Sequence, residues 1–124
     1  MEPLRIEATD ETPKVVLDPA NNAFEFSGKS LPEDVTTFYK PVLDWLDAYG
    51  NSPNPQTVVN FKLLYFNTAS SKLILDILFK LEELTEKGAN ISIKWHFQED
   101  DEDMKEAGEE YGELVEMQFE LQNY

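Results

Sequence analysis

The sequence of 124 residues contains no cysteine, one histidine and ten basic residues. Without cysteine there can be no disulfide, thiol nucleophile or cysteine-ligated metal, and this composition suits a reducing compartment. Long apolar runs are also missing: the longest, Phe61 to Phe66, is interrupted by Lys62 and has the length of a β-strand. The N-terminal residues lack the basic and apolar regions of a signal peptide. We therefore expect a cytoplasmic protein without a membrane-spanning segment.

Acidic residues dominate the charged ones, and the formal net charge is −15 at pH 7. A charge of this size disfavours nucleic acid and anionic membrane as partners and favours a basic protein surface. The chain is long enough for a folded core, so we expect one domain over residues 1–124. Its five glycines form neither a dinucleotide-binding motif nor a phosphate-binding loop.

Periodicity predicts alternating strands and helices. Alternating apolar residues and turn formers predict strands at 4–7, 14–17, 23–26, 57–66, 91–97 and 115–121. Helical spacing predicts a helix from a capping box at Ser30 to Gly50, a second from about Ser70 to Lys87, and an acidic third over 99–110. This order predicts an α/β sandwich, with a mixed sheet of five to six strands and helices packed on it.

Within the long strand at 57–66, one side is wholly apolar. The alternation places Val59, Phe61, Leu63 and Tyr65 together on that side. We therefore expect a central strand with these four residues on its buried face.

The most informative segment follows this strand directly. Asn67-Thr68-Ala69-Ser70-Ser71-Lys72 joins the apolar strand to the amphipathic second helix. The hydroxyls of Thr68, Ser70 and Ser71 thus lie near a helix N-terminus, where unpaired N–H groups and the helix dipole favour an anion. A phosphate could belong to a ligand or be attached to one of these hydroxyls. The ordinary alternative is that Thr68 caps the helix.

Other polar groups offer weaker candidates. The lone His96 stands among aromatic residues, which favours a structural role over metal binding or acid–base catalysis. The carboxylates of 99–103 lack the spacing of a calcium loop and suit a solvated helix entrance. Trp45 and Tyr49 are spaced as core residues. No metal site, cofactor site or catalytic residue is predicted.

The segment from Leu64 to Lys72, the helix after it and Ile93-Lys94-Trp95-His96-Phe97 resemble the SiaC family of bacterial regulatory phosphoproteins. The resemblance covers nearly the whole chain, and the family itself resembles the STAS-type antagonists of partner-switching systems. It implies that a dedicated, SiaB-like kinase phosphorylates Thr68 and that a PP2C-type phosphatase reverses this.

The same resemblance implies that the unphosphorylated form binds an output protein such as a diguanylate cyclase. The residues implied in the partner contact surround Thr68; they are Tyr65, Asn67, Ala69, Ser70, Ser71 and Lys72. The chain itself is then a binding protein and not an enzyme.

Two alternatives remain open on the residues alone. A small anion-binding or metabolite-binding domain could use the helix start at residues 67–72. A constitutive acidic interaction protein would bind its partner without any switch, and Thr68 would then be a helix cap.

Overall fold

The computed structural model describes residues 1–124, in which three helices and six strands alternate as the periodicity predicts. The elements in chain order are β1 (Leu4–Ile6), β2 (Lys14–Asp18), β3 (Ala23–Ser30), α1 (Val35–Tyr49), β4 (Thr57–Phe66), α2 (Thr68–Glu86), β5 (Ile91–Phe97), α3 (Glu102–Leu114) and β6 (Gln118–Asn123). None of the helices combines the length and the apolar character needed to span a bilayer.

The sheet is mixed, and its strands lie side by side in chain order from β1 to β6. The first three strands are antiparallel, while β3, β4, β5 and β6 are parallel. Each parallel strand is joined to the next by a crossover helix, and the strands advance across the sheet in one direction. Because such crossovers are right-handed, α1, α2 and α3 lie on the same face of the sheet. The parallel strands therefore all end at one edge, where β4 passes into α2.

The core lies between this sheet and the helices, and Trp95 is at its centre. Trp95 is fully buried, and its ring packs against those of Phe61 at 5.5 Å and Tyr111 at 5.3 Å between centroids. A Cβ atom added to Gly108 of α3 would lie 2.4 Å from Cδ1 of Trp95. The close approach of α3 to the sheet thus requires glycine at this position.

The first helix begins later than its sequence indicates. The capping box at Ser30 is wrong, because Ser30 is the last residue of β3 and its hydroxyl is buried in contact with Tyr39. Asp34 is the true N-cap, and its side chain accepts a hydrogen bond from the backbone N–H of Thr37 at 3.1 Å. That bond to the ionised form lowers the pKa of Asp34.

The reason for the glycine at the end of α1 also differs from the prediction. Gly50 follows the helix as expected, but its φ of −61° is right-handed, so no left-handed glycine stop is present. A Cβ atom on Gly50 would lie 2.4 Å from Cδ2 of Leu84. Close packing of α2 against this end of α1 therefore favours a glycine here, since any larger residue would displace the end of the Leu84 side chain.

The expected burial of Tyr65 is wrong, because the register between β3 and β4 shifts near the end of the pair. Gly28 pairs with Leu63, whereas Lys29 pairs with Tyr65, so Leu64 is an extra residue in β4. An extra residue exchanges the two faces of a strand beyond it. Tyr65 is consequently 52% exposed.

The last two elements lie further along the chain than predicted. The acidic third helix starts at Glu102 and runs to Leu114, with Asp101 as N-cap accepting from the N–H of Met104 at 3.0 Å. Val115 ends that helix as a buried residue and does not begin a strand, so β6 starts at Gln118.

Candidate functional site

The candidate site is the start of α2, at the edge where the parallel strands end. Asn67 is the N-cap: its Oδ1 accepts a hydrogen bond from the backbone N–H of Ser70 at 2.9 Å. Thr68 is therefore the first residue of the helix and not its cap, and α2 starts two residues before the predicted Ser70. The capping task falls to the asparagine, so the hydroxyl of Thr68 is not needed for it.

Thr68 is exposed to solvent, and no side chain of the protein hydrogen-bonds its hydroxyl. The helix dipole and the unpaired N–H groups of the first turn produce a positive potential at this point. A doubly charged phosphate on the hydroxyl would meet a favourable field here. The fold can thus carry a phosphate on Thr68 without rearranging its core.

Ser70 lies beneath Thr68 and holds the helix start to the sheet. Its hydroxyl donates to the backbone carbonyl of Ser30 at 2.8 Å, and the hydroxyl of Ser30 donates to Oγ of Ser70 at 2.9 Å. The hydroxyl of Tyr39, on α1, lies 2.5 Å from Oγ of Ser30. Burial raises the pKa of Tyr39 to about 12, so this phenol stays protonated at neutral pH.

The other side of the helix start is tied to α3. The hydroxyl of Tyr111 donates to the backbone carbonyl of Ser71 at 2.8 Å. Burial is the main cause that raises the pKa of Tyr111, so its proton is held for this bond. Buried or half-buried hydrogen bonds thus fix the first turn of α2 from two directions.

The residues implied by the family resemblance surround Thr68 but differ in access. Exposed around it are Tyr65, Ala69 and Lys72; half-buried are Asn67 and Ser71; and Ser70 is fully buried. The hydroxyl of Ser71 donates to the backbone carbonyl of Thr68 at 2.7 Å. Among the three hydroxyls of this segment, that of Thr68 is the one that is both exposed and free of a protein partner.

Two grooves meet at this point. The groove between α1 and α2 measures about 640 Å³ and contains Thr68 with Val35 and Leu43 of α1. The groove between α2 and α3 measures about 290 Å³ and is mostly apolar. Its apolar lining consists of Phe66, Leu75, Ala107, Tyr111 and Leu114. Ser71 and Lys72 line both grooves, so they connect the two across the outer face of α2.

The apolar groove is a feature that the sequence analysis missed. Leu75 and Phe79 lie outside the stripe of α2 residues that is buried against the sheet, and Phe79 is 42% exposed. Leu114, at the end of α3, is 55% exposed. The available signal was the presence of large apolar residues on the outward positions of an otherwise amphipathic helix.

The other candidate groups lie elsewhere. His96 faces the side of the sheet opposite the helices, and its Nε2 lies 2.9 Å from Oδ1 of Asn60. Burial, aided by Lys62 and Lys94, lowers the pKa of His96. The carboxylates of 99–103 enter and cap α3, and no three histidine or acidic side chains converge as a metal site requires. None of these groups hydrogen-bonds the hydroxyl of Thr68.

Comparison with known proteins agrees across sequence and structure. The model of the SiaC family regulatory phosphoprotein matches residues 6–124. An uncharacterized protein of Pseudomonas aeruginosa strain UCBPP-PA14 is 31% identical over 122 residues, which is 98% of this chain and 97% of that protein. The solved structure of SiaC of Pseudomonas aeruginosa is 29% identical, with a TM-score of 0.88 and full coverage of both chains.

A second solved structure contains the relative with a partner. It is the crystal structure of the diguanylate cyclase SiaD in complex with its activator SiaC from Pseudomonas aeruginosa. The match has a TM-score of 0.91 and 30% identity, and it covers 98% of this chain and 99% of the other.

Proposed function

The chain belongs to the SiaC family of regulatory phosphoproteins, and we propose on that premise that phosphorylation of Thr68 switches its binding to an output protein in the cytoplasm. The observation that supports this assignment is the solvent accessibility of the Thr68 hydroxyl. Thr68 presents a free, exposed hydroxyl at the start of α2, whereas Ser70 is fully buried and bonded to Ser30. A kinase can approach the first hydroxyl without opening the fold.

The enzymes of the switch are a dedicated kinase and a PP2C-type phosphatase. No side chain of the protein hydrogen-bonds the hydroxyl of Thr68, so the kinase brings the group that accepts the threonine proton. The same exposure lets a phosphatase reach the phosphate again. Regulation by two separate enzymes agrees with a chain that acts as a binding protein.

The output protein is a diguanylate cyclase, bound by the unphosphorylated form. Support comes from the relative that was solved in complex with the cyclase SiaD, which it activates. The strong acidity of this chain suits a basic docking surface on that enzyme. Phosphorylation would then release the cyclase because a partner that covers Thr68 would have to bury a doubly charged group.

Ser70 acts in this scheme by positioning. Its buried hydroxyl cannot contact a partner directly, but it fixes the backbone that presents Thr68. The direct contacts belong to the accessible residues around the threonine: Tyr65, Asn67, Ala69, Ser71 and Lys72.

Intact-mass measurement and peptide mapping on protein from its native host test the site. The wild type should carry a single phosphate on the peptide that contains Thr68, and Thr68→Ala should carry none. Ser71→Ala is the matched control and should be phosphorylated like the wild type. A phosphate that persists in Thr68→Ala would show that the acceptor is another residue.

The output is tested with the host's own diguanylate cyclase most similar to SiaD. The unphosphorylated chain should bind it, and the form carrying phosphate on Thr68 should not. Equal binding by both forms would indicate a constitutive interaction protein.

A further inference from the structure

The outer face of α2 carries apolar residues that the core does not use. The helix buries Ile74, Ile77, Leu78 and Leu81 against the sheet. Phe79 points away from that stripe and is 42% exposed. Leu75 lies half-buried at the groove beside α3, and Leu114 of α3, 55% exposed, lines the same groove. Large apolar groups left in contact with water along one line indicate an interaction surface.

The spacing of these residues places the phosphorylation site on the same line. Thr68, Lys72, Leu75 and Phe79 follow one another at intervals of four, three and four residues, the spacing of a heptad seam. We call these four residues the α2 seam. At 1.5 Å per residue, it extends about 16 Å from Thr68 to Phe79. Three helical turns of a partner helix would cover it.

The borders of the seam are acidic. On α2, Asp76, Glu82, Glu83 and Glu86 lie beside or beyond Phe79, and on α3 the outward residues include Glu106, Glu110 and Glu113. Lys80 binds Asp47 of α1 at 2.6 Å and lies 3.5 Å from Glu83, and Lys87 pairs with Glu83 at 3.2 Å. These two lysines therefore offset Glu83 but none of the other border carboxylates. Lys72 is therefore the cation within the seam. An apolar line between acidic borders is complementary to an apolar line between basic ones.

We propose that the α2 seam, together with Leu114, is the docking surface for an amphipathic, basic helix of the output protein. The apolar side of that helix packs on Leu75, Phe79 and Leu114 as a knobs-into-holes contact, and its lysine or arginine residues face the acidic borders. This proposal rests on the proposed function and adds the kind of element that the partner contributes.

The position of Thr68 then explains how phosphorylation blocks docking. Thr68 is the first residue of the seam, so the apolar side of the partner helix passes over it. A phosphate there puts a doubly charged group under an apolar surface, and removing that group from water is strongly unfavourable. Lys72 lies one helical turn away and is placed to pair with the phosphate. This pairing would also neutralise the only cation of the seam.

The test uses the full chain and the purified diguanylate cyclase of the same host that is most similar to SiaD. Phe79→Ser and Leu114→Ser remove apolar contact at exposed positions, so both variants should fold. Each should weaken binding at least tenfold. Tyr124→Ser is the matched control: Tyr124 is also 55% exposed but lies near His96, at the sheet face away from α2. It should bind like the wild type.

Kinase modification of Thr68 separates this proposal from the function on which it rests. Phe79→Ser should still be phosphorylated as fast as the wild type, because Phe79 is three helical turns from Thr68. One outcome would be that the wild type binds, that phosphorylation abolishes this binding, and that both seam variants bind normally. The α2 seam would then be wrong as the docking surface, while the phosphorylation switch would stand. If the unphosphorylated wild type does not bind the cyclase, the proposed output and the seam fall together.

The nature of the occupant is tested by photocrosslinking from position 75. A benzophenone amino acid in place of Leu75 should crosslink to a helical segment of the cyclase that is rich in lysine or arginine. A crosslink to a strand, a loop or an acidic segment would overturn the assignment of a basic helix.

Discussion

The hydroxyls of Ser30 and Ser70 lie 2.9 Å apart in the interior, although forty positions separate the two residues in the chain. The bond joins the end of β3 to the first turn of α2. Because Ser70 donates to the carbonyl of Ser30 and Ser30 donates to Ser70, Tyr39 must be the donor in its 2.5 Å bond to Ser30. One directed chain of hydrogen bonds thus holds α1, β3 and α2 together behind Thr68.

Removal of the phenol hydroxyl in Tyr39→Phe should lower the free energy of unfolding by about 1–2 kcal/mol. The ring stays in place, but the buried oxygen of Ser30 loses its donor. Urea denaturation measures the change. Tyr65→Phe removes a hydroxyl from an exposed ring and should stay within about 0.5 kcal/mol of the wild type. Equal stability of Tyr39→Phe and the wild type would show that the hydrogen-bond chain contributes nothing to stability.

Alkaline pH should weaken the fold through the same residue. Burial raises the pKa of Tyr39 from 10.0 to about 12 in the folded protein, so folding favours the protonated phenol. The corresponding stability is fully present below pH 10 and is lost as the pH rises towards 12. Tyr111, whose pKa is raised in the same direction, adds to the loss.

The measurement is the free energy of unfolding by urea between pH 8 and 12. Tyr39→Phe should show a smaller decline over this range than the wild type, because it lacks the contribution of Tyr39 while the other groups with a raised pKa, Tyr111, Lys40 and Lys80, still lose theirs. Parallel declines in the two proteins would exclude Tyr39 as a source of the alkaline sensitivity.

Substitution of Gly108 by alanine should destabilise the protein by about 1–3 kcal/mol through overpacking. The added methyl would lie 2.4 Å from Cδ1 of Trp95 and 2.6 Å from Cδ2 of Leu121. Gly112→Ala is the comparison within the same helix, since its methyl would lie 3.1 Å from the nearest atom, Cδ1 of Phe119. Thermal unfolding should rank Gly108→Ala clearly below Gly112→Ala, and the reverse order would contradict the packing described here.

His96 should titrate below the ordinary histidine pKa of 6.5. Burial is the main cause, and the charges of Lys62 and Lys94 act in the same direction against the opposing Glu25 and Glu120. Because it is the only histidine, a proton NMR titration follows it without assignment. Lys94→Gln should raise the pKa of His96, while Lys105→Gln, on α3, should leave it unchanged. No change in Lys94→Gln would exclude Lys94 as a cause of the lowered pKa of His96.

The sequence predicted the features that depend on neighbouring residues in the chain. The passage from β4 to α2 was found because an apolar alternation ends at Phe66 and hydroxyl residues follow at once. The strand bounds of β4 and the presence of each helix follow from such local patterns. The fold class followed in turn from the order of the elements.

The predictions from sequence were wrong or incomplete where the structure depends on residues that are far apart in the chain. Tyr65 is exposed because β3 and β4 shift register, and the partner strand is more than thirty residues away along the chain. Ser30 has the local pattern of a helix cap but is taken into the interior by Tyr39 and Ser70. The role of Leu75 beside Thr68 depends on α3, which folds against α2 from further along the chain.

The order of the sheet has a consequence for how the protein is made. Every strand pairs only with the strands just before and just after it in the chain. The antiparallel pairings of β1 to β3 close short loops, and each parallel pairing from β3 to β6 is bridged by a single helix. As the chain leaves the ribosome, β1 to β3 can pair first, and each later helix and strand finds its neighbour already in place. The start of α2, where the proposed phosphorylation site lies, is completed only when α3 arrives and Tyr111 reaches Ser71, so the newly synthesised chain finishes this surface late.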